Sequence, residues 1–175
     1  MDKGLIHIYH GDGKGKTSAA IGLALRAAGH SMKVLLVQFL KAMDSGEIKM
    51  LEEIPCIEVL RGAESKKFFW QMTVAEKELA KNAAALEFQQ LIKKIHYGTY
   101  QLLILDEVLD AVDIGFLSES ELVAFLAGKP LGLEVVLTGR NPSQTLLTMA
   151  DYITYVQKIK HPYDQDIAAR RGVEF

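Results

Sequence analysis

Apolar residues along this chain fall into two patterns. Short unbroken runs occupy residues 5–9, 33–40, 100–105 and 133–137. Runs without alternation are how strands covered on both faces of a parallel sheet read. A shorter strand signal lies at 56–60, and 152–156 alternate as a last strand. Helical segments separate these runs. Residues 19–28 end at Ala28-Gly29-His30-Ser31, a C-cap and turn. Thr73-Val74-Ala75-Glu76 fits a capping box. It opens a long helix to about Tyr97, with Leu79, Ala83, Leu86, Leu91, Ile92 and Ile95 at helical spacing and Gly98 as its stop. Ser118-Glu119-Ser120-Glu121 fits a second capping box, for a short helix to about Ala127, and Asn141-Pro142 starts another to about Ala150. From 41 to 72 the pattern weakens, charges crowd in, and the stretch ends in Phe68-Phe69-Trp70. No repeat, linker or low-complexity segment interrupts the chain. The expected architecture is one α/β domain over 1–175: a doubly wound, mostly parallel sheet of about five to six strands in three αβα layers.

Between the first strand and the first helix stands His10-Gly11-Asp12-Gly13-Lys14-Gly15-Lys16-Thr17-Ser18. Strand, glycine-rich turn and helix is the geometry that holds a polyphosphate, and it marks the fold as P-loop NTPase-like. Glycines let the backbone approach the phosphates with N–H groups turned inward. The helix N-terminus adds about half a positive charge, Lys16 adds a full one, and Thr17 places a hydroxyl where a phosphate-bound Mg²⁺ sits. In G-x-x-x-x-G-K-[ST] the first glycine would fall on His10; here the glycines are at 11, 13 and 15.

Two further strand ends carry candidate chemistry, because ligands of open α/β sheets bind off the carboxyl ends of strands. Asp106-Glu107 follow an apolar strand, and a carboxylate there can hold Mg²⁺ directly or through water. Spacing does not rank the two. Arg140, after Thr138-Gly139, is placed for bidentate phosphate binding or is a surface arginine. Phe68, Phe69 and Trp70 read either as apolar residues pinning a loop or as a platform for a flat ligand. Lys160-His161 either covers the site or lies on the surface; His7, His30 and His96 read as structural or solvated.

Composition narrows the class. The 175 residues suffice for one core. A net charge of −2 gives no electrostatic case for nucleic acid or an anionic membrane. The one cysteine, Cys56, leaves no intrachain disulfide or cysteine metal cluster and reads as packing. No 18-residue apolar segment and no signal-peptide pattern is present, so a soluble cytoplasmic protein is expected.

From end to end the chain resembles the P-loop corrinoid adenosyltransferases of the cob(I)alamin type. The resemblance rests on Gly11-Asp12-Gly13-Lys14-Gly15-Lys16-Thr17-Ser18, Val37-Gln38-Phe39-Leu40-Lys41, the F-x-W element Phe68-Phe69-Trp70, Leu105-Asp106-Glu107, Leu137-Thr138-Gly139-Arg140, Lys160-His161 and Gly172-Val173-Glu174-Phe175. It implies an enzyme in which cobalt(I) of a corrinoid attacks the 5′ carbon of ATP and the intact triphosphate leaves. The implied ATP site is Gly11 to Ser18 with Arg140, the implied catalytic residues are Lys16, Thr17 and Glu107, and Thr17 with Glu107 forms the implied Mg²⁺ pair beside Asp106. Phe68 and Trp70 match residues that face the corrin and force the lower axial ligand off the cobalt. A homodimer is implied, and a flavoprotein or other reductant as partner. Two residues depart from the pattern: His10 stands where relatives often carry a small hydroxyl residue, and Ser18 where they often carry threonine. The chain starts almost at its first strand, so no N-terminal arm is expected to cap the site.

Two other functional classes stay open on the residues alone. One is a small P-loop kinase or NTPase that cleaves the terminal phosphate. The other is a non-catalytic module that binds ATP or carries a corrinoid. No Asp-x-His-x-x-Gly surrounds any of the five histidines, which argues against a histidine-ligated corrinoid carrier.

Overall fold

Six strands form where the apolar runs stand: β1 (Ile6–His10), β2 (Val34–Gln38), β3 (Ile57–Arg61), β4 (Leu102–Asp106), β5 (Glu134–Gly139) and β6 (Tyr152–Tyr155). They are described in a computed structural model that covers residues 3–40, 46–61 and 72–173. All pair in parallel, in the order β3-β2-β4-β5-β1-β6. The expected sheet was mostly parallel with about five to six strands; six described strands form, and every pairing is parallel.

Three layers follow from the unbroken apolar runs, because successive strand residues point to opposite faces. Leu35, Val37, Leu103, Leu105, Val135 and Leu137 pack into one cluster with Phe88, Leu91 and Ile95 of helix α3 (Val74–Tyr97). Helices α4 (Val108–Asp113) and α5 (Glu119–Ala127) complete that layer. Val34, Leu36, Leu102, Ile104 and Val136 face the other way, against Ala20, Ala24 and Ala27 of α1 (Lys16–Gly29) and Ile48 and Leu51 of α2 (Gly46–Glu52). The alanine stripe on α1 lets that helix lie close to the strands beneath the phosphate loop. α6 (Gln144–Met149) links β5 to β6, and no helix among the described residues is long and apolar enough to cross a membrane.

Some local expectations hold and others need correction. The Thr73–Glu76 capping box forms with both bonds, and α3 ends at Gly98 as expected. The second capping box does not form. Ser118 is the N-cap of α5 without a side-chain bond to the helix backbone: its hydroxyl pairs with that of Ser120, and Glu121 takes the amide of Gln89. The weakly patterned stretch after 41 contains α2, and α4 follows directly on the acidic pair; neither was read from the sequence. α6 begins at Gln144, capped by Ser143, rather than at Asn141-Pro142. All four residues of β6 are exposed, so its alternation does not mark a half-buried strand. His7 is structural, stacked on Tyr152 and paired with Glu134 at 2.5 Å.

The apolar face of α3 is as expected in its C-terminal half, where Leu91 and Ile95 are buried and Ile92 packs on the core, and differs in its N-terminal half. Its buried stripe is Ala84, Phe88, Leu91 and Ile95, while Leu79 and Leu86 are 71% and 61% exposed. At about 100° per residue, Leu86 lies about 200° around the helix from Ala84. The Leu79→Gln and Leu86→Gln variants are therefore expected to shift unfolding free energy by no more than about 0.5 kcal/mol each. Ile95→Val, on the buried stripe, is expected to cost about 1 kcal/mol. Urea unfolding measures all three.

Candidate active site

The candidate site gathers at the carboxyl edge of the sheet. β1 delivers the glycine loop, β2 delivers Gln38, β4 delivers Asp106 and β5 delivers Thr138 and Gly139. Gly11 and Gly15 take φ of 112° and 121°, outside the range of side-chain-bearing residues. Lys16 opens α1 and curls back over the loop, donating to the carbonyls of Gly11 and Gly13, both at 2.7 Å. Burial pushes its pKa down, opposed by the carboxylates of Asp110, Asp12 and Glu107 and reinforced by the Arg140 guanidinium. The lysine is thus a half-buried cation bonded to the loop carbonyls, with three carboxylates and one arginine within electrostatic reach.

Asp106 is fully buried and bound from three directions. Thr17 and Thr138 each donate a hydroxyl to its Oδ1 at 2.8 Å, and the Gln38 amide donates to its Oδ2 at 3.3 Å. A threonine hydroxyl has one proton; once that goes to Asp106, the Thr17 oxygen keeps its lone pairs for a cation. Glu107 has φ 62° and ψ 16°, a left-handed conformation that costs a side-chain-bearing residue roughly 1–2 kcal/mol. Such conformations collect at functional sites. Its carboxylate reaches Lys16 electrostatically. The acidic pair therefore differs in setting: Asp106 is buried at the end of β4 and accepts the Thr17 hydroxyl, and Glu107 is half-buried as the N-cap of α4.

The donor set Thr17, Asp106 and Glu107 consists of oxygens, the kind that Mg²⁺ takes with one or two carboxylates and substrate phosphates. Gln38 Oε1, buried beside Asp106, has no hydrogen-bond partner among the described residues. Among those residues no group of three His, Cys, Asp or Glu side chains forms a cage for a metal. A phosphate-dependent Mg²⁺ fits this arrangement.

The remaining loop residues are tied to the C-terminal segment. Gly13 N–H donates to the Val156 carbonyl at 2.8 Å, and Lys158 N–H donates to Asp12 Oδ1 at 2.9 Å. That last bond lowers the Asp12 pKa and keeps it an anion. The Lys14 ammonium reaches the Val173 carbonyl, and Ser18 is exposed on the first turn of α1. The tail supports the loop from outside. His161 caps a 3-10 turn, Pro162–Gln165, by accepting from Tyr163 N–H. The Arg140 side chain is 71% exposed with Nε 4.0 Å from Asp110 Oδ1, and its carbonyl accepts from Gly11 N–H. Beside it opens a cleft of about 600 Å³, walled by His10, Gly11, Asn141, Leu147 and Tyr155. His10, the odd residue of the motif, is there in ring contact with Tyr155 at 5.2 Å.

Sequence reasoning left Gln38, Asp110 and Thr138 without a role. Gln38 and Thr138 are polar residues near the ends of apolar central strands, and that is the signal that could have marked them. Asp110 carries no such signal, since α4 itself was not foreseen; burial raises its pKa against the pull of Arg140. The corrin-facing candidates Phe68 and Trp70 lie outside the described residues, as do Lys41 and Glu174-Phe175.

An all-parallel sheet with a strand, glycine loop, lysine and helix defines an α/β protein of the P-loop type. A solved structure, the cytoplasmic domain of the Thermomonospora curvata type VII secretion ATPase EccC, shares this fold with TM-score 0.50 at 13% identity, over 94% of this chain and 21% of that one. Residues 2–175 match the family ATP:corrinoid adenosyltransferase BtuR/CobO/CobP. The chain is 34% identical to the corrinoid adenosyltransferase of Pseudomonas aeruginosa, over 99% of this chain and 85% of that one. It is 31% identical to the corrinoid adenosyltransferase of Escherichia coli K12, over 99% and 87%. It belongs to the ATP:corrinoid adenosyltransferase family.

Proposed function

We propose that this chain transfers the 5′-deoxyadenosyl group of ATP to the cobalt(I) of a corrinoid substrate, such as cobalamin, cobinamide or cobyrinic acid a,c-diamide, and releases triphosphate. The observation that carries the reading is Lys16 held over the loop carbonyls, with Thr17 fixed by Asp106, in a chain of this family. The cobalt(I) electron pair forms the Co–C5′ bond, the C5′–O bond breaks, and the triphosphate leaves with that bonding pair. No general base is required, since the nucleophile has no proton to lose.

Negative charge grows on the departing oxygen, so groups fixed around it before reaction lower the barrier. Lys16 exchanges the carbonyls of Gly11 and Gly13 for phosphate oxygens, Arg140 swings from Asp110 to the triphosphate, and the Gly11 to Ser18 loop with α1 cradles it. Thr17, Glu107 and Asp106 would hold Mg²⁺, which when bound neutralises phosphate charge. The residues 1–175 act as one domain, in a cytoplasmic homodimer, with a flavoprotein or other reductant supplying electrons to cobalt.

Phe68 and Trp70 are assigned to the corrin. Bulky apolar side chains there displace the lower axial donor, and axial ligation tunes cobalt's reduction potential. Changing both to Ala is expected to slow adenosylation from cobalt(II) at least about tenfold more than from pre-reduced cobalt(I). Equal loss in both assays would make them packing residues. The overall assignment is tested by mixing protein, Mg-ATP and chemically reduced cobalamin without oxygen. The cobalt(I) spectrum should vanish as a light-sensitive alkyl product forms; ATP binding with an unchanged cobalt(I) spectrum would refute it.

A further inference from the structure

We propose that Thr138 is the positioning residue for the acidic side of this site; the inference rests on reading Asp106 and Glu107 as its metal-side carboxylates. β5 runs between β4, which carries Asp106, and β1, which carries the phosphate loop. Thr138 near its end is 1% exposed. Its hydroxyl accepts the N–H of Glu107 at 2.9 Å and donates to Asp106 Oδ1 at 2.8 Å. That carboxylate oxygen is the one Thr17 donates to at 2.8 Å. The four residues form one directed chain: Glu107 N–H to Thr138, Thr138 to Asp106, and Thr17 to Asp106 from the other side.

Each link fixes something the site needs. The bond to Oδ1 sets the rotation of the Asp106 carboxylate, which in turn aims the Thr17 hydroxyl. The bond from Glu107 N–H secures a peptide whose residue sits at φ 62° and would relax if released. A buried N–H without a partner is costly, so losing the hydroxyl also drives that peptide to turn in search of another acceptor. Valine has nearly the shape of threonine and the same β-branch, so Thr138→Val removes both bonds and spares the strand. Thr138→Ser keeps the hydroxyl.

The readout is the preference of the protein for Mn-ATP over metal-free ATP, from calorimetric titrations with MnCl₂ or with EDTA. Groups that orient metal ligands typically change metal affinity by about 10–100-fold when removed. Thr138→Val should lower the preference by about tenfold, with metal-free ATP affinity within about twofold of wild type, and Thr138→Ser should restore the preference to within about threefold. A purely structural threonine would lower thermal stability without moving the preference. The proposal is overturned if Thr138→Val keeps the wild-type preference while Glu107→Gln loses it, or if Thr138→Ser falls as far as the valine variant. Should Glu107→Gln itself keep the wild-type preference, the carboxylate reading fails and takes this proposal with it.

Discussion

Lys16→Ala is expected to lower kcat/KM for adenosyl transfer by about 10²–10³, the scale of losing one preorganised group at a site of developing charge. Its ammonium is half-buried and held over the loop by the Gly11 and Gly13 carbonyls, so it is in place before the triphosphate arrives. Burial lowers its pKa overall, and the carboxylates of Asp110, Asp12 and Glu107 oppose that shift. Part of the loss should appear in ATP affinity and part in kcat, because charge on the leaving group is greater in the transition state than in ATP. Lys16→Arg should recover little, since a planar guanidinium is not interchangeable with the compact ammonium that bonds the Gly11 and Gly13 carbonyls. Steady-state kinetics with pre-reduced corrinoid measures all three; a drop of less than about fivefold in Lys16→Ala would remove the lysine from the chemistry.

Gly11→Ala should be the most damaging small change in the loop. Gly11 has φ 112°, and an added Cβ would stand 2.5 Å from the Val156 carbonyl oxygen and 2.9 Å from the Tyr155 ring. Backbone strain and overpacking each cost about 1–3 kcal/mol, so a loss of about 3 kcal/mol in stability is expected, with weaker ATP binding. Gly15 separates the two effects. Its φ is 121°, yet nothing lies within 4 Å of its would-be Cβ. Gly15→Ala therefore carries strain alone, about 1–2 kcal/mol. Denaturation midpoints give the comparison. Equal losses would mean that the C-terminal segment does not press on the loop as described.

The central strands β2, β4 and β5 were legible because burial on both faces leaves little room for polar residues ahead of their carboxyl ends, and the runs around Leu35, Ile104 and Val136 show it. α3 was legible at its ends, where Thr73, Glu76 and Gly98 make local bonds that need no tertiary partner. Its face was legible only in the C-terminal half, at Leu91 and Ile95, because Leu79 and Leu86 keep helical spacing but lie exposed. Short helices escaped for a related reason: α2 and α4 span about two turns, too few for a period to register. Within the candidate site, the glycine loop and the acidic pair announced themselves through residue type and spacing. Their difference in setting did not. That Asp106 is buried and fully bonded depends on Thr138 and Gln38 arriving from neighbouring strands, and strand order is not written in any local stretch.

The central claim is that the loop holds a triphosphate as a leaving group and does not activate its terminal phosphate for transfer. Incubation of the protein with Mg-ATP and cobalt(I) corrinoid, followed by anion-exchange separation of the phosphate products, tests it most directly. Triphosphate appearing in equal amount to the alkylated corrinoid is the expected result. ADP with inorganic phosphate, formed whether or not the corrinoid is present, would contradict it.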